Sequence, residues 1–410
     1  MVPPGHPELF AYDDDEAAPN IGFRDDHHQA SPADESPCAH RVPRVPFDAG
    51  RTAAVAEHDR DCSSGSRERR SSVNWKDRPV LVTGGASFIG SHLVDGLIER
   101  GAAVRVVDDL SSGQLDNIKD HIDKGRVEFI RGDLKTNGLA RKVVDGMSVV
   151  FHLAADHGGR GYVELHQSAC ALNMMLDQLV FDAAAKARVD KVVFASSGCV
   201  YPNELQTDPS QTVYLTEDLV GPPYDADNMY GWAKLMGEMT LRAYCKDWGL
   251  KAAACRYFTV YGNRGHENHA VIAMIARAFL KQDPFDVWGN GEQIRNWTHV
   301  SDIVAGTIRA AEKIDDGTAI NLGTMERTRV IDAVREVLAY TGHKAQIRFL
   351  LDKPVGPMNR VADNSLGKRL LGWEPQVRFV DGLHRTIDWY VGSKDREKLA
   401  AELERKLTER

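Results

Sequence analysis

A tyrosine and a lysine that could act together in proton transfer stand four residues apart, at Tyr230 and Lys234. The stretch around them has helical character, and a spacing of four places both side chains on one helix face. A lysine cation near the phenol would lower the phenol pKa, which makes Tyr230 a candidate general base near neutral pH. The hydroxyl of Ser197, which ends an apolar run upstream, could share a substrate proton with Tyr230. These residues predict proton removal from a substrate hydroxyl group.

A glycine-rich loop, TGGASFIG, precedes a helical stretch. Gly84 and Gly90 would allow a tight turn and close packing of a helix on a strand, and Ser87 replaces the middle glycine of the G-x-x-G-x-x-G pattern. Backbone amides at the start of the helix could then hold a pyrophosphate. A packing turn that binds no ligand is the alternative interpretation. The residues expected to contact a cofactor here are Gly84, Ser87, Phe88, Ile89 and Gly90.

The identity of that cofactor is indicated by Asp108, at the end of the next apolar run. An acid at this position hydrogen-bonds the ribose hydroxyls of an adenosine and repels a 2′-phosphate, so the pattern predicts NAD rather than NADP. Asp133, followed by Leu134, could contact the adenine, or it could cap a strand end. Ala154 is a further expected cofactor contact.

Short apolar runs alternate with helical stretches from Pro79 onward. Helical spacing over 86–101 joins the first two runs into a β-α-β unit. Continuous apolar strands that alternate with helices imply a parallel sheet covered on both faces. The predicted fold is α/β, a Rossmann-type doubly wound parallel sheet with a smaller C-terminal α/β part that binds substrate. Strands are expected at 79–84, 103–109, 127–133, 149–155, 191–197 and 252–258.

The composition changes along the 410 residues. Residues 1–76 hold 8 of the 17 prolines and a net charge of -5 out of -8, without a helical or strand period, so we expect a disordered N-terminal extension. Residues 77–258 should form mainly the NAD-binding domain. Residues 259–392 should form mainly the substrate-binding part, interleaved with that domain, and 393–410 a charged surface helix.

The overall composition also narrows the partners and the compartment. A formal charge of -8 argues against nucleic-acid binding, and no apolar run reaches the ~18 residues that a membrane span needs. Six cysteines without a CxxC pair argue against a disulfide scaffold or a zinc ribbon. We therefore expect a cytoplasmic protein that binds neither membranes nor a metal.

Five motifs together resemble the extended short-chain dehydrogenase/reductases that act on nucleotide sugars, the NAD-dependent epimerase/dehydratase family. The resemblance covers about 78–392 and implies that Tyr230 is the base, Lys234 its support and Ser197 its helper. It also implies that Arg295 contacts the diphosphate of a nucleotide sugar bound by the C-terminal part, and that the protein is a homodimer. The motifs are TGGASFIG, HLAA, ASSGCVYP, YGWAK and WGNGEQIRNWTHVSD.

Within that family, the segment AADHGGRGYVELHQS resembles the sugar loop of GDP-mannose 3,5-epimerases, which favours a GDP-sugar as substrate. Those enzymes carry a cysteine two residues after the catalytic serine, where Cys199 stands, and use it as an acid or base on a ring carbon. A buried hydrophobic role is the alternative for Cys199. An arginine of that family is matched by Arg360 in NRVADN. The resemblance implies sugar contacts from His157, Gly158, Arg160 and Arg360.

Several positions depart from those epimerases. A lysine that completes their proton exchange is missing from 261–271, where His269, or else His266, falls nearest. An imidazole could transfer this proton near neutral pH. His157 and Arg160 replace two apolar residues of the sugar loop. These changes favour a more polar sugar, or one with an additional hydroxylated carbon.

The resemblance implies a reaction through a transient 4-keto sugar. Tyr230 would take the proton of O4 while hydride passes from C4 to NAD, and the ketone would acidify C3 and C5. Cys199, with His269 on the opposite face, would exchange a ring proton before hydride returns. The alternatives are a 4-epimerase, which does not need Cys199, a 4,6-dehydratase, a uronate decarboxylase, and a non-catalytic NAD-binding scaffold.

Overall fold

The computed structural model describes residues 73–409. The N-terminal extension predicted over 1–76 lies outside the described residues except for 73–76. Within that short stretch, Trp75 is buried and its indole Nε1 donates a hydrogen bond to Glu312 Oε1 at 2.8 Å. The folded chain thus includes Trp75, ahead of the boundary that composition suggests.

Residues 73–409 contain one large sheet and several short strand pairings. The predicted strands lie where expected, each one ending within a few residues of the apolar run. In chain order the strands are β1 (Pro79–Thr83), β2 (Ala103–Asp108), β3 (Val127–Arg131), β4 (Val149–His152), β5 (Lys191–Ser197), β6 (Ala252–Tyr257), β7 (Val260–Tyr261), β8 (Phe285–Trp288), β9 (Ile294–Arg295), β10 (Thr298–His299), β11 (Asp316–Leu322), β12 (Thr328–Arg329), β13 (Ile347–Leu350) and β14 (Asn359–Arg360).

The large sheet has seven parallel strands in the order β11-β6-β5-β4-β1-β2-β3. From β1 the chain moves outward to β3, and from β4 it moves outward on the other side, so the order reverses between β1 and β4. Ligands bind at such a point, in the crevice beyond the carboxyl ends of the strands. The Rossmann-type doubly wound sheet predicted from the sequence is confirmed, and β11 is an additional strand that the sequence analysis missed.

Helices cover both faces of this sheet. In the described chain, no helix combines the length and the apolarity that crossing a bilayer requires. In chain order the α-helices are α1 (Phe88–Glu99), α2 (Lys119–Asp123), α3 (Leu139–Val144), α4 (Arg160–Leu165), α5 (Gln167–Ala171), α6 (Asn173–Lys186), α7 (Asn228–Trp248), α8 (Ala270–Phe279), α9 (Val300–Lys313), α10 (Val330–Thr341), α11 (Ser365–Leu371), α12 (Phe379–Ser393) and α13 (Arg396–Lys406).

Two hydrophobic cores lie on opposite faces of the sheet. On one face, α1 and α9 pack together through residues such as Leu93 and Ile308. On the other face, α3, α6 and α7 enclose residues such as Phe181 and Leu241. Because both faces are covered, the strands are apolar along their whole length, which is why apolar runs located them in the sequence.

The chain beyond β6 forms a smaller part with a third core. There α8, α10, α12 and α13 pack around the parallel pair β8 and β13. In contrast, α9 and β11 return to the large sheet, where β11 pairs with β6. The smaller part is therefore interleaved, along the chain, with the part that forms the large sheet.

The C-terminal helix is more buried than the surface helix predicted over 393–410. Leu399, Leu403 and Leu407, which follow one another at intervals of four, are buried in the core that α8 and α12 share. A spacing of four places these leucines on one face of α13. The segment is mostly charged in composition, which suggested a surface helix, but the leucines still recur at every fourth position.

Candidate active site

The glycine loop lies at the carboxyl end of β1, beside the point where the strand order reverses. Gly84 has φ +68°, and a Cβ on it would come within 2.9 Å of Ala154 N. A Cβ on Gly90 would overlap the carbonyl oxygen of Gly84. Ser87 Oγ donates a hydrogen bond to that same carbonyl at 2.5 Å. Glycine is thus required at 84 and 90, while the serine that replaces the middle glycine fastens the turn.

Two acidic residues border the groove beyond this loop. Asp108 ends β2, and its carboxylate accepts hydrogen bonds from Ala86 N at 3.0 Å and Leu110 N at 2.9 Å. Asp133 follows β3 and forms an ion pair with Lys135 at 2.9 Å. Although burial opposes it, the hydrogen bonds and the charge of Lys135 lower the pKa of Asp133. Both carboxylates are held by bonds to neighbouring backbone or side chains.

Two adjoining cavities bring the predicted site residues together. They share five lining residues, which are Ser87, Ser112, Leu153, Ala155 and His157. Gly90 packs beneath the loop instead. The smaller cavity is lined by Gly84, Ser87, Asp108, Asp133, Leu134 and Ala154. The larger cavity, of about 350 Å³, is lined by Phe88, Ile89, His157, Gly158, Arg160, Ser197, Cys199, Tyr230, Lys234, His269, Arg295 and Arg360.

The tyrosine and the lysine both project from α7 into the larger cavity. Lys234 Nζ lies 5.9 Å from the centroid of the Tyr230 ring. Burial raises the pKa of Tyr230, the nearby Cys199 adds to this, and a hydrogen bond with Ser197 acts in the opposite direction. Burial lowers the pKa of Lys234. Burial disfavours both the phenolate of Tyr230 and the ammonium of Lys234. A nearby opposite charge would stabilise each of these charged forms.

Two adjacent serines, Ser196 and Ser197, end β5, and they differ in their hydrogen-bond partners. Ser196 Oγ donates to Glu238 at 2.5 Å, and Glu238 is held by the buried Arg256. Ser197 Oγ accepts a hydrogen bond from Cys199 N at 3.1 Å. The structure therefore commits Ser196 to a buried ion pair and leaves the hydroxyl of Ser197 next to Tyr230.

The cysteine that follows this serine contacts an arginine from a distant part of the chain. Arg360 Nη1 donates to Cys199 Sγ at 3.1 Å, and Arg360 Nε donates to Gln206 Oε1 at 2.6 Å. Although burial alone would lower it, the pKa of Arg360 is raised by Cys199 and Asp227. A guanidinium at this distance can stabilise negative charge on the sulfur.

Asp227 is a site residue that the sequence analysis missed. Its carboxylate accepts hydrogen bonds from Arg160 Nη1 at 3.0 Å and from Arg360 Nη2 at 2.9 Å. Burial raises the pKa of Asp227, but the charges of Arg360 and Arg160 outweigh burial and lower it. The one signal in the sequence was an aspartate three residues before Tyr230, where it resembles an ordinary helix cap.

A third arginine lies in the same cavity. Arg295 donates from Nη1 to Ile294 O and from Nη2 to Val355 O, both at 2.8 Å. Burial, together with the positive charges of Arg360 and Arg160, lowers the pKa of Arg295 to about 9. Three guanidinium groups around one buried carboxylate, Asp227, make this end of the cavity suitable for an anionic group such as a diphosphate.

Two imidazole rings line the cavity, and one of them lies near Tyr230. The His157 ring lies 6.2 Å from the Tyr230 ring and 6.1 Å from the His269 ring, measured between centroids. Burial, with a smaller effect of His266, lowers the pKa of His269 to about 4. His269 is therefore a neutral imidazole near pH 7, able to accept a proton.

The loop before α4 is held close to these rings. A Cβ on Gly158 would come within 2.6 Å of Tyr162 Cβ, and a Cβ on Gly159 would overlap the carbonyl oxygen of Asn268. Asn268 Nδ2 in turn donates to Glu409 O at 3.0 Å. Leu407 lines the larger cavity. The end of the chain thus forms part of the wall of the site, which no motif indicated.

The model of the NAD dependent epimerase/dehydratase family matches residues 80–323. This range begins in β1 and ends just after β11, so it includes the whole large sheet and all of α7. The chain belongs to this family. Its cofactor is NAD.

Individual relatives within this family carry different names. GDP-mannose 3,5-epimerase 1 of rice, Oryza sativa subsp. japonica, is 30% identical over 324 residues, which make up 78% of this chain and 83% of that protein. An uncharacterized UDP-glucose epimerase of Bacillus subtilis is 34% identical over 317 residues, 75% of this chain and 96% of that protein. The crystal structure of UDP-glucuronic acid 4-epimerase from Bacillus cereus, in complex with UDP-glucuronic acid and NAD, is 30% identical, has a TM-score of 0.68, and covers 76% of this chain and 98% of its own.

The residues of the groove fit NAD. The glycine loop leaves backbone amides at the N-terminus of α1 for a pyrophosphate, and a side chain at Gly84 would narrow that space. Asp108 ends β2, where an acid would hold the adenosine ribose. Lys234 and Tyr230 border the other end. These residues would hold the cofactor, which supplies a hydride acceptor when bound.

Proposed function

We propose that this protein epimerises a nucleotide-diphosphate sugar through a transient 4-keto intermediate, with proton exchange at C3 or C5, as in a GDP-mannose 3,5-epimerase. The observation that carries the proposal is the placement of Tyr230, Cys199 and His269 around a single cavity, with Arg360 bonded to the Cys199 sulfur. Oxidation at C4 needs Tyr230, and proton exchange on the ring needs Cys199 and His269, so both must reach the same sugar.

In this proposal, residues of β5 and α7 carry out the first step. Tyr230 removes the proton of the sugar O4, and Ser197 holds that oxygen in reach of the phenolate. The charge of Lys234 would oppose the burial that raises the pKa of the phenol. NAD, when bound, would supply the acceptor for the hydride of C4. The ketone formed at C4 acidifies the hydrogens on C3 and C5.

In the second step, one group on each face of the sugar ring would take part. Because the pKa of His269 is about 4, its imidazole accepts the ring proton and does not carry one to donate at neutral pH. Cys199 then delivers a proton to the opposite face, and Arg360 stabilises the charge left on sulfur. His269 would so replace the lysine used by the epimerases that this chain resembles.

The arginines account for the rest of the proposed substrate. Arg295 is assigned to the diphosphate, and Arg160, with His157 and Gly158, to the sugar hydroxyls. A bidentate guanidinium suits a diphosphate. The favoured nucleotide is GDP, because the sugar loop resembles that of GDP-mannose 3,5-epimerases.

A 4-epimerase is the second candidate. The names of comparably similar proteins favour it, since the relatives from Bacillus subtilis and Bacillus cereus are a UDP-glucose epimerase and a UDP-glucuronic acid 4-epimerase. Such an enzyme would need only Tyr230, Ser197, Lys234 and NAD, with the keto sugar turning over before hydride returns. A dehydratase or a decarboxylase is a weaker candidate, because Gly198-Cys199 does not supply the acidic residues that a dehydratase usually places after its serine.

We also propose a cytoplasmic homodimer. The large apolar side chains Met175 and Leu179 of α6, and Trp232 and Met236 of α7, are exposed on neighbouring helices. A second copy of the chain would cover this surface, and sedimentation would measure the mass. Within residues 73–409 the cysteines are free thiols, which suits a reducing compartment.

The test is incubation of the NAD-loaded protein with GDP-, UDP-, dTDP- and ADP-sugars in deuterium oxide, followed by NMR and mass spectrometry. Deuterium at C3 or C5 supports the proton-exchanging epimerase and identifies the carbon. Isomerisation without ring deuterium supports the 4-epimerase. Absence of turnover with all of these sugars counts against both.

The variant Cys199→Ala separates the two candidates further. Loss of an acid/base group should slow ring-deuterium incorporation by about 10²-fold or more, because general acid–base catalysis typically contributes that much. Cys245→Ala, which removes a thiol at the far end of α7, is the matched control. Full-rate deuterium incorporation in Cys199→Ala would contradict the proposed role.

A further inference from the structure

A buried carboxylate on α6 lies close to the lysine of α7. Asp177 is 1% exposed, and its Oδ1 accepts a hydrogen bond from His152 Nε2 at 3.0 Å. Its Oδ2 has no hydrogen-bond partner within residues 73–409. Burying an ionised carboxylate is costly unless charge or hydrogen bonds compensate. The unpartnered oxygen therefore requires a compensating positive charge nearby.

The hydrogen bonds around His152 establish that Asp177 acts as an acceptor. Thr83 Oγ1 accepts from Leu153 N at 3.1 Å and from Ala154 N at 3.0 Å, which uses both of its lone pairs. Its hydroxyl proton must then point at His152 Nδ1, 2.8 Å away. With Nδ1 accepting, the proton of His152 is on Nε2 and is donated to Asp177. Oδ1 of Asp177 is thus the acceptor of this bond, and the carboxyl group is linked through this chain of bonds to the backbone of the cofactor groove.

The geometry places Lys234 and this carboxylate in the same buried region, around the Phe194 ring. A Cβ on Gly237, three residues after Lys234 on α7, would come within 2.9 Å of Asp177 Oδ2, so glycine lets the two helices approach. The Phe194 ring stacks with the His152 ring at 6.0 Å, and Lys234 Nζ lies 4.6 Å from the Phe194 centroid. Asp177, His152 and Lys234 therefore surround one buried phenylalanine.

The other titratable groups around this pair are few and are engaged elsewhere. Tyr230 of α7 faces Lys234, and Cys170 of α5 and Cys199 after β5 face Tyr230. The charge of Asp177 by itself raises the pKa of Tyr230, so any benefit to the phenolate must come through Lys234. Glu238, also on α7, is neutralised by Arg256 of β6. Burial lowers the pKa of Lys234, and the negative charge that opposes this effect is that of Asp177.

We propose that Asp177 is a positioning residue that acts through Lys234, by keeping the lysine charged in its buried place beside Tyr230. The inference rests on the proposed roles of Tyr230 and Lys234. Asp177 would be a second charged group, besides Lys234, that influences Tyr230, and it lies on α6, which carries none of the recognised motifs. Without Asp177, the lysine would lose its proton at lower pH and could no longer stabilise the phenolate.

Three substitutions test this role. Asp177→Asn keeps the size and an oxygen to accept the bond from His152, but removes the charge. Asp177→Thr is a second neutral variant, and Asp177→Glu retains the charge. Asp182→Asn is the control, because Asp182 lies on the same helix and forms a surface ion pair with Lys186 at 2.8 Å.

The measurement is an NMR pH titration of the NAD-loaded full chain with lysine labelled with ¹³C at Cε, in which Lys234→Arg identifies the signal of Lys234. Removal of an adjacent negative charge favours the neutral amine, so the midpoint of Lys234 should fall by about one pH unit or more in Asp177→Asn and Asp177→Thr. Asp177→Glu should restore most of the midpoint, and Asp182→Asn should leave it unchanged.

An unchanged midpoint in both neutral variants would overturn the proposal, and so would a loss of folding in both, since that would assign Asp177 a structural role. The titration needs no sugar, so its result is independent of whether the proposed epimerisation is observed. With any nucleotide sugar that is turned over, the alkaline limb of the pH–rate profile should move to lower pH in the neutral variants. A merely structural defect would reduce the rate at every pH without moving the limb.

Discussion

The two sides of the larger cavity are built in different ways. On one side, Tyr230 and Lys234 project from a long helix and Ser197 ends a central strand, so regular elements position the groups that are proposed to act on C4. On the other side, Arg295 and Arg360 stand on two-residue strands that pair with each other, and Arg360 is held by Asp227. The proposed chemistry at C4 would thus depend on the fold, whereas the proposed recognition of the sugar would depend on side-chain pairing.

The most damaging change should be on the regular side. Tyr230→Phe removes the proposed base while keeping the ring, so turnover should fall by about 10²- to 10⁴-fold or more. The melting temperature and the affinity for NAD should stay close to those of the parent protein, which calorimetry would measure. Tyr340→Phe, which changes a surface phenol, is the control. Turnover at the parent rate in Tyr230→Phe would contradict the proposed role of Tyr230 as the base.

On the side of the cavity that is built from paired side chains, substitution of Asp227 should disrupt the pairing. Asp227→Asn leaves Arg160 and Arg360 without their shared carboxylate, and breaking a buried ion pair costs about 3 kcal/mol of unfolding free energy. Urea denaturation would measure this. Asp225→Asn, two residues away on an exposed aspartate, should change it little. Equal stability of the two variants would show that Asp227 does not organise the arginines.

Two glycine substitutions separate the effect of backbone strain from that of a steric clash. Gly84→Ala and Gly138→Ala both place a side chain at positive φ, which costs about 1–3 kcal/mol, but a Cβ at 138 meets nothing within 4 Å. Both variants should lose stability, and Gly84→Ala should in addition lose affinity for NAD, measured by calorimetry. Equal NAD affinity would contradict the proposed cofactor position.

The smallest effect should come from His269. Its pKa is about 4 in the folded chain and about 6.5 when unfolded, so the unfolded state binds the extra proton as the pH falls between these values. The histidine therefore contributes stability above about pH 6.5, and about 1–2 kcal/mol of it should be lost between pH 7 and pH 5. His269→Gln should lose correspondingly less over that interval in urea denaturation. The same loss in both proteins would contradict the burial effect.

Local patterns predicted the regular side of the molecule well. The apolar runs, the glycine loop and the four-residue spacing of Tyr230 and Lys234 are all properties of short stretches, and the structure places each on the element expected. The strand β11 was missed because Asp316, Thr318 and Asn321 interrupt its apolar run. Asn321 is nonetheless buried, since its side chain donates to Leu215 O at 2.8 Å.

The paired side was harder to predict because its partners are far apart in sequence. Asp227 and Arg360 meet across 133 positions, and the role proposed for Asp177 concerns a lysine of another helix. The resemblance to a family indicated Arg295 and Arg360 by motif, but not the carboxylate that holds Arg360. No pattern within a single element encodes such a pair.

The wall formed by Leu407, which directly follows α13, has a consequence for the order in which the cavities are completed during synthesis. A ribosome makes the chain from the N-terminus, so the large sheet through β11, with α1, α7 and α9 packed on it, can fold while later residues are still being added. Among the described residues that line the larger cavity, Leu407 is the last to be made, and Glu409 O accepts a hydrogen bond from the Asn268 side chain. The groove beyond the glycine loop can therefore form on a nascent chain before the larger cavity has all its walls, and the order of translation separates the two events in time.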